Sequence, residues 1–379
     1  MTKEFRLGRI FGIEIGIDYT WFIIFFIVAA GLSTGWLARY LPNVPLGLRW
    51  VVAGLTAILF FASVLLHELS HSVVALRSGM KVSGITLFLF GGVSKLADEP
   101  KSAGVELKMA IAGPLASVAL ALVFLALSFL FRSAIVFSTV FRWLGIVNGF
   151  LAAFNLVPGF PLDGGRVLRA GLWKWTGSLS ESTRIAAGFG QGVGILMIVG
   201  GVLYYFVSRD FGGLWLAFIG WFLTQAAQSS YQQMMLREAL TGVLVSRVMT
   251  DAVDIVPPDM TLDQVVHDYI MARNHPAFPV TEDGPFDSAQ GRRVLGLLCV
   301  TEVRGIPRQE WPRVTARDAA APLSDHNTIS PSSDAWEALV RMSQENCGRL
   351  LVVEDGMLRG IISRTDIMRM MRSRLQLGL

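Results

Sequence analysis

The chain has 379 residues, 53% of them hydrophobic and 16% charged, with a formal net charge of +4, and its mean hydropathy is +0.51. These values exclude a wholly soluble protein and describe a membrane portion with a soluble appendage. The small cationic excess suits lysines and arginines beside anionic lipid; no basic patch interleaved with aromatics occurs, so no nucleic-acid partner is expected. The average conceals two regimes: charges are sparse up to about Gln233, and ordinary soluble composition begins near Arg237.

Lys3, Arg6 and Arg9 precede the glycine-interrupted, alternating run IFGIEIGID (10–18), which reads as a strand and lacks the pattern of a cleavable signal peptide. Six apolar spans follow, over 19–37, 50–76, 107–131, 135–157, 185–207 and 214–227, the last being short. Between the second and third, Ile85–Phe90 and Val93–Leu96 flank Gly91-Gly92 and predict a hairpin with a Gly-Gly turn, against the alternative of an amphipathic loop.

The second span contains His67-Glu68-Leu-Ser-His71. Four residues apart on a helix, the two histidines share a face, so both can reach one metal ion while Glu68 stands beside them to handle a proton. Ionisable groups at membrane depth are costly and are kept where they serve a polar cavity or a metal. The chain has five histidines and two cysteines; His67 and His71 are the only histidines before His267, and Cys299 and Cys347 lie far downstream. Any third ligand from the membrane half must therefore be acidic. Asp163 stands out among the acids because it lies in NLVPGFPLDGGR (155–166), where prolines and glycines break a helix and present a carboxylate to the bundle. Two histidines and one carboxylate leave a fourth position for water, as in catalytic zinc sites.

Lysines and arginines cluster before the first span and around the second and fourth connections, which places both termini on the cytoplasmic side. His67 and Asp163 then arrive at the same cytoplasmic depth from distant parts of the chain.

HELSH on a membrane helix, then NLVPGFPLDGGR on a later one, then a tandem repeat, resembles a site-2 protease, an intramembrane zinc metalloprotease of peptidase family M50, of the branch carrying CBS domains. The resemblance implies one Zn2+ held by His67, His71 and Asp163, Glu68 as general base, and Asn155 holding substrate or polarising its carbonyl. It implies six transmembrane helices with a small membrane-associated β-sheet, plus a cytoplasmic α/β CBS pair. The substrate would be a single-span protein of the plasma membrane, cleaved in or near its transmembrane segment. One departure is Gly113-Pro114-Leu115-Ala116-Ser117, where the family usually carries asparagine after a small residue. A CBS-regulated channel or transporter and a non-catalytic zinc-binding scaffold are the alternative classes; the first lacks a second copy of either motif, and the second does not need Glu68.

The membrane domain is expected over 1–233 and the repeat over 238–379, in copies of about 238–309 and 310–379. VPPDMTLDQV (256–265) matches ISPSSDAWEA (329–338), and GLLCVTEV (296–303) matches GIISRTDI (360–367). The copies' offset falls from 72 at Gly284 to 64 at Gly296, which puts eight extra residues mostly in the loop 285–293 of the first. By resemblance to CBS modules, an adenine nucleotide would use Ser363 and Asp366 of the second copy, replaced by Cys299 and Glu302 in the first. Homodimerisation or packing alone is the competing use of the module. The two cysteines lack zinc-type spacing and are expected to be core or strand residues in a reducing compartment, and His267, His275 and His326 form no ligand-like cluster. The arginine-rich tail 364–374 reads as a solvated helix face.

Overall fold

The computed structural model describes residues 4–96, 99–273, 275–282, 293–344 and 348–377. The chain divides into two units, Met1–Met234 and Met235–Leu379.

The first unit opens with a hairpin, β1 (Glu4–Ile10) and β2 (Ile13–Asp18). The stretch 10–18, expected as one strand, is split at Phe11 and Gly12, whose φ angles of +52° and +80° form the two-residue turn that matches strand twist. Asp18 then accepts from the backbone N–H of Thr20 at 2.9 Å and from its hydroxyl at 2.6 Å, satisfying a donor at the start of α1 (Thr20–Gly31). A π-helical turn, Leu32–Trp36, joins α1 to α2 (Leu37–Tyr40). The helices that follow are α3 (Leu46–Arg77), α4 (Ala103–Leu130), α5 (Ile135–Asn155), α6 (Asp163–Thr176), α7 (Leu179–Ser208) and α8 (Gly212–Leu240). Strands β3 (Val82–Phe88) and β4 (Gly91–Leu96) lie between α3 and α4.

Among the described residues five helical stretches are long and apolar enough to cross a membrane: Thr20–Tyr40, Leu46–Arg77, Ala103–Leu130, Ile135–Asn155 and Leu179–Ser208. The sixth expected span lies on α8, a continuous helix whose apolar stretch gives way after Leu223 to Thr224, Gln225, Gln228, Ser229 and Ser230. Phe129, Phe150, Leu196 and Val207 on these helices are more than 70% exposed, which water would penalise and lipid would not. The unit is a multi-pass membrane domain.

The four strands form one sheet in the order β1-β2-β3-β4, with β2 and β3 parallel and the other pairs antiparallel. The hairpin expected after HELSH is present, but its turn is Leu89-Phe90, because Phe88 pairs with Gly91. Tertiary contacts hold that turn where it is. Leu89 N–H donates to the Thr20 hydroxyl at 3.2 Å, and the Phe90 ring stacks on Phe222 of α8 with centroids 3.8 Å apart.

Among its described residues the second unit contains two three-stranded sheets: β5 (Ala277–Thr281), β6 (Val294–Cys299) and β7 (Ala321–Pro322) in one, and β8 (Thr328–Ile329), β9 (Arg349–Glu354) and β10 (Met357–Ser363) in the other. Its helices are α9 (Leu262–Val265), α10 (Val300–Gly305), α11 (Ala316–Ala319), α12 (Ala335–Gln344) and α13 (Arg364–Leu377). The matching repeat segments form equivalent elements, β6 then α10 and β10 then α13. The copies interlock: Val243, Val245 and Val248 pack with Ala338, Leu350 and Ile362, while Ala277 and Leu297 share a second core with Leu351 and Ile361. Neither copy buries its apolar surface alone, which is why the repeat folds as one module. Most of the loop 285–293, and Cys347, lie outside the described residues.

Candidate active site

Helix α3 carries His67 and His71 about one turn apart on one face with Glu68 beside them, and the helix break after α5 brings Asp163 to them as the first residue of α6. Asp163 Oδ2 lies 3.1 Å from Nε2 of each histidine, and the two Nε2 atoms are 3.2 Å apart. These separations are close to the roughly 3.3 Å edge of a tetrahedron with metal–ligand bonds of about 2.0–2.1 Å. Among the described residues, this is the one group of three or more His, Cys, Asp or Glu able to hold a metal ion.

The outer nitrogens of both imidazoles are occupied, which fixes what the inner ones can do. His71 Nδ1 is 2.6 Å from the Met109 carbonyl oxygen, which can only accept, so Nδ1 carries the proton and neutral His71 presents a lone pair at Nε2. His67 Nδ1 lies 2.8 Å from the buried Ser117 hydroxyl, which can hold that ring in the same tautomer. The residue that departs from the family pattern in sequence thus supports a candidate ligand. Gly113 completes the cradle: a Cβ there would lie 2.2 Å from His71 Nε2 and 2.6 Å from His67 Nε2. The donor set and the space beside it fit a zinc ion.

Local packing explains how a carboxylate arrives at this point. Pro158 and Pro161 interrupt the helical course after Asn155, and Gly164 and Gly165 let α6 start against the preceding loop. A Cβ on Gly164 would stand 2.4 Å from the carbonyl oxygens of Leu156 and Val157. Phe160 N–H donates to Ala186 O at 3.1 Å and so ties the loop to α7. Helix α6 is also clamped to α4 by Arg169, which donates through Nε to Glu106 at 2.6 Å and covers the Phe160 ring at 5.0 Å. Glu106 is fully buried, and breaking such a pair by removing one partner typically costs about 3–5 kcal/mol. Sequence reasoning missed this clamp; charges placed within apolar helices were the available signal.

The donor triangle and Glu68 line a cavity of about 740 Å³, together with Asn155, Arg166 and residues Gly91–Ser94 of β4. Asn155, at the end of α5, therefore reaches the same space as the other candidate residues. Ser363 and Asp366 lie together in the second unit, where they cap α13: Asp366 Oδ2 accepts from Ser363 N–H at 3.0 Å and from its hydroxyl at 2.5 Å. Glu302 accepts Cys299 N–H at 3.1 Å in the corresponding turn of the first copy. Both pairs have a capping task that the sequence reading did not recognise.

The family model described as peptidase family M50 matches residues 55–136 and 132–199, and that described as CBS domain matches 245–304 and 318–373. A zinc metalloprotease of Methanocaldococcus jannaschii is 33% identical over 371 residues, 98% of this chain and 97% of that protein. A Synechocystis protein provisionally named a zinc metalloprotease is 32% identical over 375 residues, again 98% of this chain and 97% of the relative. A solved structure, the site-2 protease from M. jannaschii, is 34% identical, covering 60% of this chain and 95% of that one with a TM-score of 0.43. Identity at this level over nearly the whole of two full-length relatives means that the chain belongs to peptidase family M50: it is a zinc metalloprotease of the site-2 type with a tandem pair of CBS domains.

Proposed function

We propose that this protein hydrolyses a peptide bond in or near the transmembrane segment of a single-span membrane protein. The observation that carries the reading is the triangle of His67, His71 and Asp163 donors beside Glu68, in a cavity walled by apolar helices. His67, His71 and Asp163 would hold one zinc ion. Zinc in such a site acidifies water and polarises a carbonyl group. Glu68 accepts the proton of the attacking water and returns it to the leaving amine. Asn155 and Arg166, on the same cavity wall, orient the substrate carbonyl.

Substrate backbone must be freed from intrahelical hydrogen bonds before its carbonyls can react. Strand β4 ends the sheet order, and its residues Gly91–Ser94 face the cavity, so an unwound segment pairs with it as an added strand. We place a sixth crossing on the apolar part of α8, with both termini and the CBS pair in the cytoplasm and the protein in the plasma membrane, as the lysine and arginine distribution favours. Purified full-length protein should contain one zinc per chain and cleave a single-span test peptide with glycine in its apolar segment. Chelation should abolish cleavage and zinc should restore it. A protein that binds no zinc, or whose cleavage survives chelation, would remove this reading.

The CBS pair is the regulatory element in this proposal, taking an adenine nucleotide at the turn that holds Ser363 and Asp366. A nucleotide shifts activity only if it favours one arrangement of the protein over another. Calorimetry of full-length protein with ATP, ADP and AMP should show binding that Asp366→Ala weakens, accompanied by a change in cleavage rate. Heat unaltered by Asp366→Ala would reject this site, and binding without any change in cleavage would leave the module to packing or dimerisation.

A further inference from the structure

Strand β4 touches the proposed base at two alternate residues, Gly92 and Ser94, which a strand directs to the same face. At Gly92 a Cβ would lie 2.5 Å from Glu68 Cγ, so the missing side chain is what lets the strand pass over the glutamate. Two residues on, the Ser94 hydroxyl donates to Glu68 Oε2 at 3.1 Å. The Glu68 carbonyl oxygen is farther, at 3.5 Å, and one hydroxyl proton cannot serve both well. Ser94 in turn accepts from the hydroxyl of Ser72 at 3.1 Å. Ser72 is completely buried one helical turn beyond Glu68, so the donor that orients Ser94 is itself fixed by packing. A chain of hydroxyls therefore runs from Ser72 through Ser94 to Glu68, between α3 and the terminal strand of the sheet.

We propose that Ser94 is a positioning residue for this protease: it holds the Glu68 carboxylate against β4, so that the strand proposed to receive substrate also sets the position of the base. The inference rests on the protease reading above. A freely rotating glutamate would spend part of its time away from the attacking water, and a donor fixed on its second oxygen restricts it to the productive rotamer. Such an effect falls on the chemical step and leaves binding nearly unchanged.

The test uses full-length, zinc-loaded protein in detergent micelles and a fluorogenic single-span peptide with a glycine pair in its apolar segment. Ser94→Ala should lower kcat by about 10- to 100-fold while KM changes less than about twofold and zinc content stays the same. Ser94→Thr, which keeps the hydroxyl on a residue suited to a strand, should recover most of the rate. Ser72→Ala should give a smaller loss in the same direction, because Ser94 keeps its own proton to donate. An alanine variant with undiminished kcat would overturn the proposal. So would a threonine variant as slow as the alanine one, or a loss of rate that follows a loss of zinc. No turnover by the unaltered protein would defeat the underlying protease reading, a result that no comparison among the variants could mimic.

Discussion

Gly113→Ala is expected to yield a folded protein that no longer holds zinc and no longer cleaves. The added Cβ would fall 2.2 Å from His71 Nε2 and 2.6 Å from His67 Nε2, inside the space that a shared ion needs. Relaxation is obstructed on the outer side of each ring, because His71 Nδ1 is bound to the Met109 carbonyl oxygen and His67 Nδ1 to Ser117. Loss of a ligand's supporting hydrogen bond typically costs about 10- to 100-fold in metal affinity, and obstruction of the site should exceed that. Alanine also favours the interior of a helix over glycine by roughly 1 kcal/mol, so metal should be lost without loss of α4. Metal analysis and circular dichroism of the purified variant separate the two effects. A variant that retains one zinc per chain with normal affinity would show that the ion sits elsewhere.

Glu68→Gln should do the opposite, keeping the metal and losing the chemistry. The amide preserves the shape beside Gly92 and can still accept from Ser94, but it cannot take a proton from water at neutral pH. Removal of a general base costs about 100- to 10,000-fold, and the fall should appear in kcat with zinc content unchanged. Cleavage at the rate of the unaltered protein would show that another group accepts the proton. The two variants together divide the site, since one should abolish metal binding with the base intact and the other the base with metal binding intact.

Several features were legible along the chain because they follow from spacing that local structure enforces. His67 and His71 face one way on any helix, and two prolines and two glycines around Asp163 announce a helix break. The apolar spans follow from length and composition in the same way, with α8 marking the limit: a helix forms there, but its polar second half keeps it below the apolarity of the other five. The turn of the β3–β4 hairpin was misplaced for a related reason. Gly-Gly is a strong local turn signal, yet the glycines belong to β4, where Gly92 must pass over Glu68, and Leu89-Phe90 turns instead with Phe90 stacked on α8. Local preference gave way to contacts between residues far apart in sequence.

The sequence by itself determined the membrane and soluble regimes, the helical pair of histidines with its glutamate, the break that carries Asp163, and the internal repeat. Each is encoded within a short window, as a helical or strand period, a backbone restriction or a recurrence. Only the tertiary structure decided what surrounds those residues. It brought Met109 and Ser117 to the outer imidazole nitrogens, Gly113 to the space between the inner ones, Ser94 to Glu68, and Arg169 to Glu106 across two helices. These contacts join residues from 26 to 63 positions apart, Glu68 to Ser94 being the nearest pair and Glu106 to Arg169 the farthest. No period or propensity specifies which side chains meet at such distances, because the meeting is settled by how helices and strands pack around a common cavity.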